Sequence, residues 1–373
     1  MIQFKVKRPH FDIKFLIIFL VLFIKYTGVW GIFIGPIKTF LMIIPITLSL
    51  LVLFYRKNLR IKQYPFFFFL IVAIVVTFLT KEVDIILALL LAVIYINDNK
   101  DYDNFIKNYV MSAIFFYFLT LILGKIGFVS GNNTVRLISG ELIQRNSLGF
   151  EHVNAVFKNF LPIFFGVYIL ALGKSKKKKY VYIFIITVIS IILYYYSNSR
   201  NGFLTICFFL LFEFLVSRCQ SNRINIAIKN ITPYMFLIFT IISYIIALTI
   251  GNNLGPLSLA LSGRPTLWNT LIHNTMFPSL FGLHNQGVDN TYFWLLYYYG
   301  IIIYLIYLVT YYFGVKIISQ NKKFIGPLIF MGLYSLFENM DILNYNFFIV
   351  LEIMEIIRYR NVINHVEQGN KIS

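Results

Sequence analysis

Four arginines, Arg136, Arg145, Arg200 and Arg264, stand in polar segments of a chain otherwise dominated by apolar runs. A guanidinium offers a planar fork of donors that can grip two oxygens of a phosphate or carboxylate together. Several converging on one place make a site for an anionic headgroup, a diphosphate above all. Singly, each could instead lay its stem along lipid and set its head among lipid phosphates. Histidine is the usual proton acceptor near neutral pH. His152 closes a polar run, Arg145-Asn146-Ser147-Leu148-Gly149-Phe150-Glu151-His152, followed by Val153 and Asn154. His284 sits in Gly282-Leu283-His284-Asn285, just before Asp289-Asn290-Thr291-Tyr292. Asp289 is a third candidate base, with Asn154, Asn290 and Tyr292 as further polar contacts. The plainer reading keeps the histidines as solvated loop residues, and Asp289 and Asn290 as caps of a helix beginning near Thr291.

Other chemistries lack their residues. Asp101-Tyr102-Asp103 has the D-x-D spacing that holds a metal and a sugar nucleotide in soluble glycosyltransferases. Here it lies in a short polar connector with no α/β nucleotide-binding domain around it, which reads as a solvated turn. There is no Walker loop, no H-E-x-x-H and no G-x-S-x-G, so neither a metal nor a cofactor is expected. Cys207 and Cys219, twelve apart on one helix, would stand ~18 Å apart along its axis, too far to bridge.

The elements that must position these residues follow from composition. The chain of 373 residues is 59% hydrophobic and 13% charged, with a mean hydropathy of +0.76, so its solvent is lipid. Apolar runs recur along the whole length, giving an all-α, single polytopic membrane domain over 1–373 with roughly 12 spans (10–12) across ~30 Å of hydrocarbon. Among these are spans at 36–54, 83–96, 291–315, 324–337 and 343–357, some of them short for a crossing. The first run, from Phe15, is expected to be an uncleaved span, because no small-residue cleavage site follows it. The net charge of +18 is spread over short lysine-rich connectors, which argues for topology and against nucleic acid. With both termini cytoplasmic, every dense basic cluster falls on one side. Segments 130–152, 197–201 and 251–290 then face outward, and it is these that carry the four arginines. Arginine outside works against the charge bias and calls for another reason.

In order along the chain come "RNSLGFEHVN" before a span, "YYYSNSRNGFL" between two spans, "LSGRPTLW" in a long loop and "DNTYFWLLYYYGI" leading into the next span. Over roughly residues 130–305 this series resembles the bacterial polysaccharide polymerases of the Wzy type, related to the O-antigen ligases. The resemblance implies a multi-pass enzyme of the bacterial cytoplasmic membrane. It would join oligosaccharide repeat units carried on undecaprenyl diphosphate into a capsule, exopolysaccharide or O-antigen at the outer face of that membrane. A flippase and a chain-length regulator of the same pathway would be its partners. It further implies that Arg200 and Arg264, and less directly Arg145, hold the lipid diphosphate. Ligases carry a catalytic His-Asn pair near the start of the following span. This chain has Asp289-Asn290 there, partly desolvated if it lies at the membrane edge, with His284-Asn285 upstream. Either Asp289 or His284 could then be the base. Two other readings stay open: a flippase for the same lipid-linked sugar, and a ligase that attaches finished glycan to an acceptor. A transporter should carry ionisable residues deep within its spans.

Overall fold

The structure, a computed structural model, describes residues 12–32, 36–55, 63–80, 83–96, 101–129, 131–138, 141–218, 221–251, 261, 263–275, 277–282, 288–340 and 347–369. Among the described residues six helices are long and apolar enough to cross a membrane: Tyr102–Lys125, Val153–Leu172, Lys176–Ser197, Arg200–Arg218, Asn222–Ile250 and Ile301–Ile318. The shorter apolar helices Ile43–Tyr55, Tyr64–Phe78 and Ile85–Tyr95 stand with them, as does Ile13–Val29. Large apolar side chains, among them Phe54, Phe78 and Phe184, cover the outside of the bundle. So broad an apolar exterior suits a lipid surround and would be unstable in bulk water.

Val153–Leu172 is the central helix. It is apolar on nearly every face and packs against Asp101–Lys125, Lys176–Ser197 and Arg200–Arg218. Two glycines set these distances: a Cβ at Gly166 would overlap Val110, and one at Gly202 would overlap the ring of Phe157. By contrast Lys176–Ser197 and Arg200–Arg218 turn most of their surface outward.

The structure departs from the sequence reading in several places. The run 291–315 is not one helix. Thr291–Phe293 and the π-helical Trp294–Tyr299 form one piece, and Ile301–Ile318 another, with Gly300 between them at φ 93°. The segment 277–282 wedges into this break: the Ile301 amide donates to the Ser279 carbonyl at 3.0 Å, and a Cβ at Gly300 would overlap the Leu280 carbonyl. Apolar residues run through both pieces, so periodicity alone had no reason to divide them. The expected span 36–54 likewise divides into Pro36–Leu41 and Ile43–Tyr55. The last helix, Phe347–Gly369, runs well past residue 357. An antiparallel hairpin, Thr134–Ile138 with Glu141–Arg145, adds a small sheet to the otherwise helical fold, with Thr134 opposite Arg145. Asp101-Tyr102-Asp103 is the first turn of Asp101–Lys125, not a free turn, and Asp103 pairs with Lys323 at 2.8 Å.

Two groups of polar contacts mark opposite ends of the long helix Asp101–Lys125. At one end Asn108 donates to Asp12 and to the Tyr95 hydroxyl, Lys323 meets Asp103, and Arg358 lies over the Tyr102 ring. Lysines dominate this basic end. At the other, the Trp30 indole donates to Thr120 at 2.9 Å, and the hairpin, the 197–201 turn and Arg264 come together.

Candidate functional site

The S-N-S-R-N-G run shows how its residues earn their places. Asn198 adopts the left-handed conformation at φ 51° and closes Lys176–Ser197 with its amide on the Tyr194 carbonyl. Ser197 and Ser199 are buried, and the Ser197 hydroxyl accepts from the Ser199 amide at 3.3 Å. Arg200 then opens the next helix with its side chain exposed. Asn201 turns inward, and Gly202 admits Phe157. The Asn198 side chain also donates to the Gln144 carbonyl, which ties this turn to the hairpin.

Arg264 is the centre of the arrangement. It begins Arg264–Thr275 after Gly263, which has φ 71°, and is 6% exposed. A cation at a helix N-terminus opposes the helix dipole, so something else must hold it there. Its Nη2 donates to Glu338 Oε1 at 2.7 Å, and its Nε lies 3.6 Å from Asp289 Oδ2. The same Glu338 oxygen accepts from Asn201 Nδ2 at 3.2 Å. Glu338 itself is buried, whereas the Asp289 side chain is 62% exposed. Burial pushes the Glu338 carboxyl above the usual range, while Arg264 and the Asn201 amide pull it back only in part. Thr291 holds the Glu338 connector in place: its hydroxyl donates to the Glu338 carbonyl at 3.0 Å and accepts from the Met340 amide at 2.9 Å. Trp268, fully buried, packs Arg264–Thr275 against Phe293.

Two of the expected roles resolve into separate ones. Asn290 alone caps the helix that starts at Thr291, accepting from the Tyr292 and Phe293 amides, while its amide donates to Ser243 Oγ. Asp289 takes no part in that cap and lies beside Arg264 instead. Tyr292 is buried with its hydroxyl on the Gly332 carbonyl, a packing position within the bundle. His152 is the N-cap of Val153–Leu172, its Nδ1 accepting from the Asn154 amide at 3.2 Å. Arg145 donates to the Asn154 side chain at 2.9 Å. Arg136 lies on the first hairpin strand, its side chain outside the described residues, as are His284 and Asn285.

Sequence reasoning missed Glu338. A lone carboxylate ending the apolar run "GPLIFMGLYSLFENM" was a signal, since an arginine held against the charge bias needs a counter-charge. Leu148 and Asn198, the two non-glycine residues with positive φ among the described residues, both fall in the polar runs that flank this site. Such backbone is held by its surroundings and clusters where function constrains geometry. Compared with protein families, curated proteins and solved structures, the chain finds no match in any of the three.

Proposed function

We propose that this chain is a membrane enzyme that polymerises undecaprenyl-diphosphate-linked oligosaccharide repeat units by glycosyl block transfer. In this reading the bundle crosses the bacterial cytoplasmic membrane roughly 12 times, counting the shorter helices among its spans. The lysine-rich end is cytoplasmic and the arginine-bearing end faces outward. The observation that carries the reading is the Glu338–Arg264–Asp289 chain of charges, from buried to exposed, with Asn201 of the S-x-S-R turn bonded to its inner end. It joins three segments that the sequence separates widely.

Each residue has a distinct task. Glu338 is a positioning residue: too buried to meet a sugar, it fixes Arg264. Arg264 in turn orients Asp289, which is exposed enough to take the proton from the acceptor hydroxyl. That hydroxyl attacks the donor's anomeric carbon, the bond to the diphosphate oxygen breaks, and undecaprenyl diphosphate leaves. Arg200, exposed at the start of a 19-residue helix, meets the negative charge that grows on the leaving oxygen. Of the two arginines expected to grip the diphosphate, Arg200 keeps that role and Arg264 does not, with Arg145 held on the Asn154 side chain.

One observation favours a second reading. Glu352 and Glu355 are buried within Phe347–Gly369, and ionisable groups inside spans mark transport paths. Deleting the gene in its host separates the two. Loss of a polymerase leaves surface glycan as single repeat units, whereas loss of a flippase leaves no repeat units on the outer leaflet. Restoration of long chains by the wild-type gene, but not by Asp289→Asn, is the expected result. Unchanged chain length in the deletion strain would refute the proposal.

A further inference from the structure

A cavity of about 540 Å³ opens at the basic end of the bundle, far along the same helices from Arg264. Leu172 and Val216 contribute to its apolar wall, Lys179, Lys229 and Lys322 reach it from three different segments, and Glu213 lies within it. The positive-inside rule accounts for lysines in these connectors but not for their meeting over one cavity. Nor does it account for the care taken over Glu213. The Tyr168 hydroxyl donates to Glu213 Oε2 at 2.6 Å, and Gly326 leaves the other oxygen room that any Cβ would fill. Lys179 lies near enough to act on the Glu213 charge, and Lys323 pairs with Asp103, which among the described residues leaves Lys229 and Lys322 to face an incoming anion.

Beside the cavity runs Asn222–Ile231, the first part of Asn222–Ile250, which the 3-10 turn Thr232–Tyr234 separates from the apolar Met235–Ile250; this first part is strongly amphipathic and has no buried residue. Ile224, Ile226 and Ile231 expose their side chains, while Arg223 and Lys229 supply its charge. A basic amphipathic helix of this kind lies along the boundary between headgroups and acyl chains. The cavity therefore sits at headgroup depth, cationic at its mouth and apolar along its wall. We propose that it holds the phosphate headgroup of an anionic diacyl phospholipid, with one acyl chain along Leu172 and Val216. This is a binding site separate from the one around Arg264 and does not depend on the reaction proposed there.

Native mass spectrometry of the full chain in detergent tests it, with dioleoyl-phosphatidylglycerol as probe and dioleoyl-phosphatidylcholine for comparison. Phosphatidylglycerol should be retained preferentially. Lys229→Gln with Lys322→Gln should weaken retention about thirtyfold, each lysine near an anionic headgroup being worth roughly fivefold. Lys177→Gln with Lys178→Gln, an equal charge loss on exposed positions outside the cavity, should change it little. Val216→Trp, which keeps every charge but fills the apolar wall, should also weaken retention. Equal retention of the two lipids, equal losses from the two lysine pairs, or no effect of Val216→Trp would each overturn the proposal.

Discussion

Asp289 and Asn290 are neighbours with opposite fates, and the contrast makes a sharp test. Asp289→Asn leaves the Asn290 cap and the Arg264–Glu338 pair in place, so thermal unfolding should shift little. Polymer formation should nevertheless fall by about 10²-fold or more, the usual contribution of a positioned base. Wild-type polymer from this variant would move the base elsewhere. For the buried pair, removing one partner strands the other charge. Arg264→Ala should cost about 3–5 kcal/mol, whereas replacing both groups, Arg264→Met with Glu338→Leu, should restore much of that stability while leaving the enzyme inactive. Denaturation of the purified chain would rank the variants, and a double variant no more stable than Arg264→Ala would contradict the pairing. Glu338 also predicts a pH dependence. Its carboxyl is raised in the folded state, so above the ordinary glutamate range the folded chain keeps a proton that the unfolded chain has released. Stability should therefore decline as pH rises through that window, and Glu338→Gln should flatten the decline. A decline of the same depth in Glu338→Gln would assign the titration to another group.

At the scale of elements, the break at Gly300 shapes the site's floor. It lets the segment 277–282 pack against Tyr298–Ile302, at the far end of the unit that carries Asp289. Gly300→Ala would place a side chain at φ 93° and against the Leu280 carbonyl, at a cost of ~1–3 kcal/mol. Polymer formation should drop with it, because Asp289 lies eleven residues upstream on the same unit. Unchanged stability and activity together would show that the break is incidental. How legible these elements were depended on what competes with local sequence. The long helices were readable because lipid leaves a backbone few other ways to satisfy itself. The S-x-S-R turn was readable too, since Asn and Ser stop helices by their own chemistry. The break at Gly300 was not, because its cause is a wedge from residues twenty positions away. The role of Glu338 was hidden for a similar reason: nothing local says that a carboxylate after one helix faces an arginine before another.

For the whole molecule, the expectation is sidedness. In a variant lacking Cys207 and Cys219, a cysteine at the exposed Gln144 should react in intact cells with an impermeant thiol reagent, and one at Lys177 only after lysis. The reverse pattern would invert the proposed membrane orientation and withdraw the site from lipid-linked glycan on the outer leaflet. One last consequence concerns synthesis. Arg264 leaves the ribosome 74 residues before the glutamate that neutralises it. At ~5–20 residues per second that is a wait of roughly 4–15 s, during which Arg264 can meet the exposed Asp289 but not the buried carboxylate that holds it. The nascent protein must shelter it in water, in the translocation machinery or against lipid phosphate. A chain that stops short of Glu338 never gains that buried partner, and leaves Arg264 to the exposed Asp289 alone among the two carboxylates that meet it.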